Sequence, residues 1–155
     1  MPSLFSADAR RAIAARLDRL APDATPRWGR MNAPRMLAHL SDAMRMAMGD
    51  LLVKPKWLPL RYPPLKQLII YWIPFPKGAP TAPEIFARKP DASEWASERR
   101  ELDALIERCG SAPPEFTFAH HPLFGKLSRR AWGVLGYRPL DPPLAAARHG
   151  RGGQR

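Results

Sequence analysis

Nineteen prolines punctuate the 155 residues of this chain, an unusual load for an all-helical fold of that length, and they decide where regular structure can run. Proline has no main-chain N–H and its ring collides with the preceding turn, so a helix accepts it in the first turn and not in the interior. Pro22 therefore stops a first helix. Pro55, Pro59, Pro63 and Pro64 exclude a long regular helix over residues 50–64, and Pro74 and Pro76 end the apolar run before them. Long, stiff connections follow.

Between those breaks the apolar pattern is helical. Residues 5–20 place Phe5, Ile13, Leu17 and Leu20 at helical spacing, with Ser6 as an N-cap. The loop "APDATPRWGR" follows, in which Trp28 is expected to plug the end of the bundle. Asn32 caps a second helix, with Pro34 in its first turn and Gly49 as its stop. Met36, Leu40, Met44 and Met48 recur every four residues there; Leu37 and Ala47 widen the stripe, and His39 lies beside it. "LKQLIIYWI", residues 65–73, fits a short helix or a strand equally. "PKGAPTAPEIFARKP" is an irregular connection, long enough to cover a pocket mouth or a flank of the core.

Ser93 is the expected N-cap of the next helix and Gly110 its stop. Trp95, Leu102, Leu105, Ile106 and Cys109 mark one face; Glu98, Arg99, Arg100 and Glu107 mark the other. Ser128 caps a last helix that turns Trp132, Leu135 and Gly136 toward the core. The economical architecture is all-α: four main helices, with a short fifth element in the long Pro-rich connection between the second and third of them. One domain spans 1–149, and the tail "GRGGQR" of 150–155 is expected to be disordered.

The formal charge is +11 and its bearers are scattered. Six arginines stand against Asp141 from Arg129 to Arg155, without the aromatic interleaving that stacks bases, so a nucleic-acid partner is not expected. No run approaches the roughly 18–20 apolar residues that span a bilayer, and no membrane partner is expected. The N-terminal "MPSLFSADARRAIAARL" reads as the first helix rather than a cleaved leader. The lone Cys109 excludes an intrachain disulfide, sits where a helix dipole disfavours a thiolate, and reads as structural; cytoplasm is the default compartment.

The chemistry-bearing residues form no self-sufficient motif. There is no HExxH, no cysteine pair, no helical histidine pair at i,i+4, no phosphate loop and no nucleophile elbow. His39 is open between a ligand and a core-edge histidine bonded to a carbonyl. Asp42, three residues on, can orient that imidazole, bond a tyrosine or arginine, or face solvent. His120 and His121 are adjacent loop residues whose side chains point apart. Met36, Met44 and Met48 offer adaptable apolar surface for a small molecule or protein partner.

Three longer segments point further. "PRWGRMNAPRMLAHLSDAMRMAMGD", "YWIPFPKGAPTAPE" and "HPLFGKLSRRAWGVLGYRPLD" resemble the DUF1569-type family of the DinB/YfiT-like superfamily, from about Trp28 to Asp141. The resemblance implies a four-helix, up-down-down-up bundle, commonly a homodimer, holding zinc or nickel on three histidines. The first such ligand matches His39. Some members of that superfamily transfer a low-molecular-weight thiol and others are metal-dependent hydrolases or isomerases. In such an enzyme the metal lowers the pKa of a bound thiol or water. Asp42, and Asp141 likewise, would stand behind the ligands and orient them, and the 50–92 connection would form a pocket wall.

The last helix departs from the family pattern. Where relatives carry a "HLDHHLRQFG"-like segment, this chain reads "PLDPPLAAARHG". Pro139 and Pro143 occupy the other two ligand positions, Pro142 replaces the intervening histidine, and Asp141 is kept. Proline offers no donor atom, and each one inside a helix costs about 3 kcal/mol. The regular helix is thus expected to end near Arg138 and to resume briefly from Leu144 to His149. No cofactor is expected. The reading is a DinB-like protein without the usual metal centre. Two alternatives stay open: a small-molecule thiol transferase or hydrolase with zinc or nickel in a rearranged site using His39 with His120, His121, His149 or Asp141, and a metal-free binding bundle. Whether the chain is an enzyme is left open, and no catalytic residue is assigned.

Overall fold

A computed structural model describes residues 1–23, 32–73 and 82–138. The expectations for Trp28, Pro74 and Pro76, for Pro139, Asp141, Pro142, Pro143 and His149, and for the 150–155 tail lie outside the described residues. Among those described, the regular structure is five α-helices and three 3-10 turns, with no strand beyond an isolated bridge between His121 and Gly125.

Helix α1, Ala7–Leu17, starts where Ser6 accepts the N–H of Ala9, and it buries Ala9, Ile13 and Leu17. It is shorter than the 5–20 pattern: Phe5 precedes the cap, and Leu20 is buried after the helix has ended. Helix α2, Ala33–Met48, begins at Asn32, whose side chain accepts the N–H of Arg35 at 3.1 Å. It stops at Gly49, whose φ of 86° suits a residue without a Cβ. Its buried face is broader than the methionine stripe. Leu37, Ala38, Leu40, Ser41, Asp42, Met44, Met46 and Ala47 are all covered, whereas Met36 and Met48 are only half-buried. The cause is tertiary: α2 is packed by a fourth helix, by a fifth, and by the 3-10 turn Pro83–Phe86.

The 65–73 segment is a helix: α3, Leu65–Tyr71, follows the cis Pro63–Pro64 bond. Helix α4, Trp95–Gly110, corrects two expectations. Its lead-in is the 3-10 turn Ala92–Glu94, capped by Asp91 rather than Ser93. Asp91 accepts the Ser93 N–H at 2.7 Å while Glu94 accepts the Asp91 N–H at 3.0 Å, a reciprocal box that leaves the Ser93 hydroxyl as a donor to Asp91. Glu98 is buried, not on the solvent face, because an arginine from the preceding connection reaches it. Helix α5, Arg129–Tyr137, is capped by Ser128 and buries every residue from Ala131 to Tyr137.

The largest helix–helix contact is α2 against α4; α1 packs on α4, and α5 packs on α2 and α3. The N-terminal segment lies between the end of α4 and the middle of α5. The Leu4 N–H donates to the Gly133 carbonyl at 3.0 Å, and the Leu4 carbonyl accepts from Arg10 at 2.8 Å. A Cβ on Gly110 would stand 2.7 Å from that same Leu4 oxygen and 2.5 Å from the Arg10 side chain. Gly110 is therefore a close-approach residue as well as the end of α4. Gly110→Ala is expected to push the N-terminal segment off and lower stability by about 1–3 kcal/mol, read from the midpoint of urea unfolding.

Candidate functional site

The candidate site is built around His39. Helix α2 carries it toward the Pro83–Phe86 turn, where Nδ1 stands 3.3 Å from the Ile85 carbonyl. A carbonyl only accepts, so Nδ1 carries the proton and Nε2 keeps the lone pair. The Phe86 ring stacks on the imidazole, centroids 4.6 Å apart and planes 13° off parallel. Burial pushes the His39 pKa below its ordinary value, against the smaller raising effects of the Ile85 bond and of Asp42. The long connection thus covers the imidazole. Of the two meanings left open by the sequence, the carbonyl-bonded histidine is the geometry present. The same bond is also what orients a ligating imidazole through its other nitrogen.

Asp42 has a more committed role. It is 4 % exposed, and both of its oxygens lie 3.2 Å from the Arg88 Nε, while Arg45 Nη1 donates to Oδ1 at 2.6 Å. Arg88 goes on to donate to Glu98 at 2.6 Å, to the Ala38 carbonyl at 3.3 Å, and to Glu101 at 3.5 Å. Arg45 closes the circuit by donating to Glu101. Three carboxylates and two guanidiniums therefore tie α2, α4 and the connection together. The Glu98 Oε2 is buried with no hydrogen-bond partner. Of the three outcomes open for Asp42, the arginine bond is the one realised.

Arg88, Glu98, Glu101 and Arg45 were not singled out as site residues from the sequence. For Glu98 a signal existed: it stands four residues before Leu102 and seven before Leu105, on the same helical stripe. For Arg88 none did, because its partner is 46 residues away in the chain.

The other described histidines have surroundings of their own. His120 is exposed. His121 Nδ1 accepts the N–H of Leu123 at 3.1 Å and of Phe124 at 3.4 Å, which places its proton on Nε2 and leaves no free lone pair on the ring. Its ring packs against Phe124 and Trp132, with centroids 4.8 and 5.5 Å away. Burial, with a contribution from Lys66, lowers its pKa to about 4. Cys109 is buried, and burial raises its thiol to about 11, as suits a packing residue. Among the described residues no three His, Cys, Asp or Glu side chains converge as metal ligands would. The positions of Asp141 and His149 fall outside the described residues.

Arg88→Ala should strand Glu98 and leave Asp42 with Arg45 alone, lowering stability by roughly 2–4 kcal/mol, since removing one partner leaves buried charge poorly compensated. Chemical denaturation of that variant beside Asp42→Asn/Arg88→Met/Glu98→Gln checks it: the triple variant is expected to recover part of the loss. A second expectation concerns acid. The folded His121 titrates near 4 and an unfolded histidine near 6.5, so between those values only the unfolded chain takes up the proton. Stability is full above the upper value and falls by roughly 2–3 kcal/mol as pH drops through that window, with His39 adding in the same direction. Unfolding free energies measured from pH 7 to 4 should show that slope, and His121→Gln should flatten it.

No family model, curated protein or solved structure matches the chain. The likeness to the DUF1569 type therefore stands on the quoted segments alone.

Proposed function

We propose that the chain is a DinB-like bundle that has lost the three-histidine metal centre and works by binding rather than by metal-dependent catalysis. The observation that carries this reading is the use made of Asp42. The acid nearest the surviving ligand position is held by Arg45 and Arg88 and fastens the connection to the bundle, so it is not available to orient a metal-bound imidazole. The donor set is short as well. His39 contributes one nitrogen, and Pro139 and Pro143 contribute none. One neutral imidazole does not make a zinc or nickel site without further donors converging on it. This donor set supports a reading without the metal that the family resemblance implies.

One observation favours the rearranged-site alternative. The Ile85 carbonyl leaves His39 Nε2 as the lone-pair nitrogen, the form in which a histidine binds a cation. The two readings separate on elemental analysis of untagged protein by plasma mass spectrometry, with His39→Ala alongside. The binding-bundle reading expects well under one equivalent of any transition metal and no difference between the two proteins. One equivalent in the wild type that vanishes in His39→Ala, together with thiol-transfer or hydrolase turnover that vanishes with it, would replace this reading by the metalloenzyme.

A further inference from the structure

Helix α3 is unusual in being apolar on both sides. Ile70 is buried and Ile69 half-buried against the body of the protein. On the side opposite Ile70, with Ile69 at its flank, Leu65, Leu68 and Trp72 follow at i, i+3 and i+7, one stripe, and all three are exposed, Trp72 by 78 %. Just upstream, Trp57 is 76 % and Tyr62 61 % exposed, on chain that runs into the 3-10 turn Pro59–Arg61 packed against α3. A helix turning isoleucine inward and leucine and tryptophan outward is not explained by its own core.

The charges along this stretch of chain have one sign. From Leu51 to Ile73 the chain carries Lys54, Lys56, Arg61 and Lys66 and no acid. Other elements bring more cations: Arg130 lies over the Tyr71 ring at 5.7 Å, and Lys66 reaches the Lys126 carbonyl. Of the acids that flank this stretch, Asp50 is paired with Arg108, while Glu84 accepts the Lys54 N–H at 3.5 Å and sets one carboxylate at its edge. Arg61 stacks on Trp57 with its carbon 4.4 Å from the ring centre, so indole and cation are presented together.

We propose that this face docks on an anionic phospholipid surface. Exposed tryptophan and tyrosine beside leucine, rimmed by lysine and arginine, match the boundary between acyl chains and headgroups, where indole and phenol rings sit half-wet and cations meet phosphate. With seven residues, α3 is about 10 Å long and lies in that boundary rather than crossing it. No helix among the described residues is long and apolar enough to cross a membrane, but that criterion is silent about a surface lying flat. A second copy of the chain is the poorer occupant, because a twofold contact through this face sets its cations against one another. The inference uses no residue of the His39 site and does not depend on the metal question.

The test is co-sedimentation of the full chain with vesicles of phosphatidylcholine alone or with about one-third phosphatidylglycerol. The protein is expected to pellet with the anionic vesicles only and to be largely released near 0.5 M salt, where screening is strong (about 4 Å). Leu68→Glu/Trp72→Glu should weaken that binding at least about tenfold while the thermal midpoint stays in place, since both side chains are exposed. His39→Ala should bind as the wild type does. Equal recovery with neutral and anionic vesicles, or undiminished binding of the double variant, would overturn the proposal. So would a wild-type dimer in sedimentation velocity that the double variant dissolves, which would assign the face to a second copy.

Discussion

The contact between Asp42 and Arg88 is the constraint on which the arrangement of this protein depends. A carboxylate between packed helices is costly unless it is partnered, and one of its two arginine partners here comes from a connection with little regular structure of its own. Once Arg88 reaches Asp42 it also reaches Glu98 and the Ala38 carbonyl, so one guanidinium fixes the path of the chain beside α2 and α4. The Pro83–Phe86 turn is then set against α2, which brings the Ile85 carbonyl and the Phe86 ring onto His39. The environment of the imidazole follows from an ion pair elsewhere. An arginine suits this position better than a lysine would, because its planar fork can address several acceptors at once.

Local chemistry was legible in the sequence wherever a helix end is decided by its own neighbours. Ser6, Asn32, Ser128 and Gly49 each occupy the position that spacing assigns them, because a cap is a contact within about four residues. Even there, competition between neighbours is hard to read. Asp91 and Ser93 are both good caps, and the carboxylate prevails by accepting from Ser93 while Glu94 returns the bond. The 65–73 run is open by pattern because nine residues carry too little period to separate helix from strand; the seven that form the helix pack on α5.

The candidate site was half legible. His39 and Asp42 stand out as polar residues on an apolar helix, but what they do depends on Arg88 and Ile85, which are 46 residues further along the chain in each case. No spacing rule relates residues at that separation. Glu98 was assigned to solvent by a convention about charge, although its register with Leu102 and Leu105 places it inside. A charge on an apolar stripe is better read as a request for a distant partner.

The arginines that end on main-chain oxygen have a consequence for the isoelectric character of the molecule. Arg129 donates to the carbonyls of Ala112 and Pro113, Arg138 to those of Ile69, Ile70 and Ile73, and Arg10 to that of Leu4. A carbonyl satisfies a guanidinium without neutralising it. A tie of this kind holds two segments together without itself supplying an acid, although Arg10 also pairs with Glu107, so part of the surplus of +11 is a by-product of how the loops are fastened. Alkalinity of this kind cannot be evolved away by swapping surface residues, because the cations concerned are the stitching of the fold.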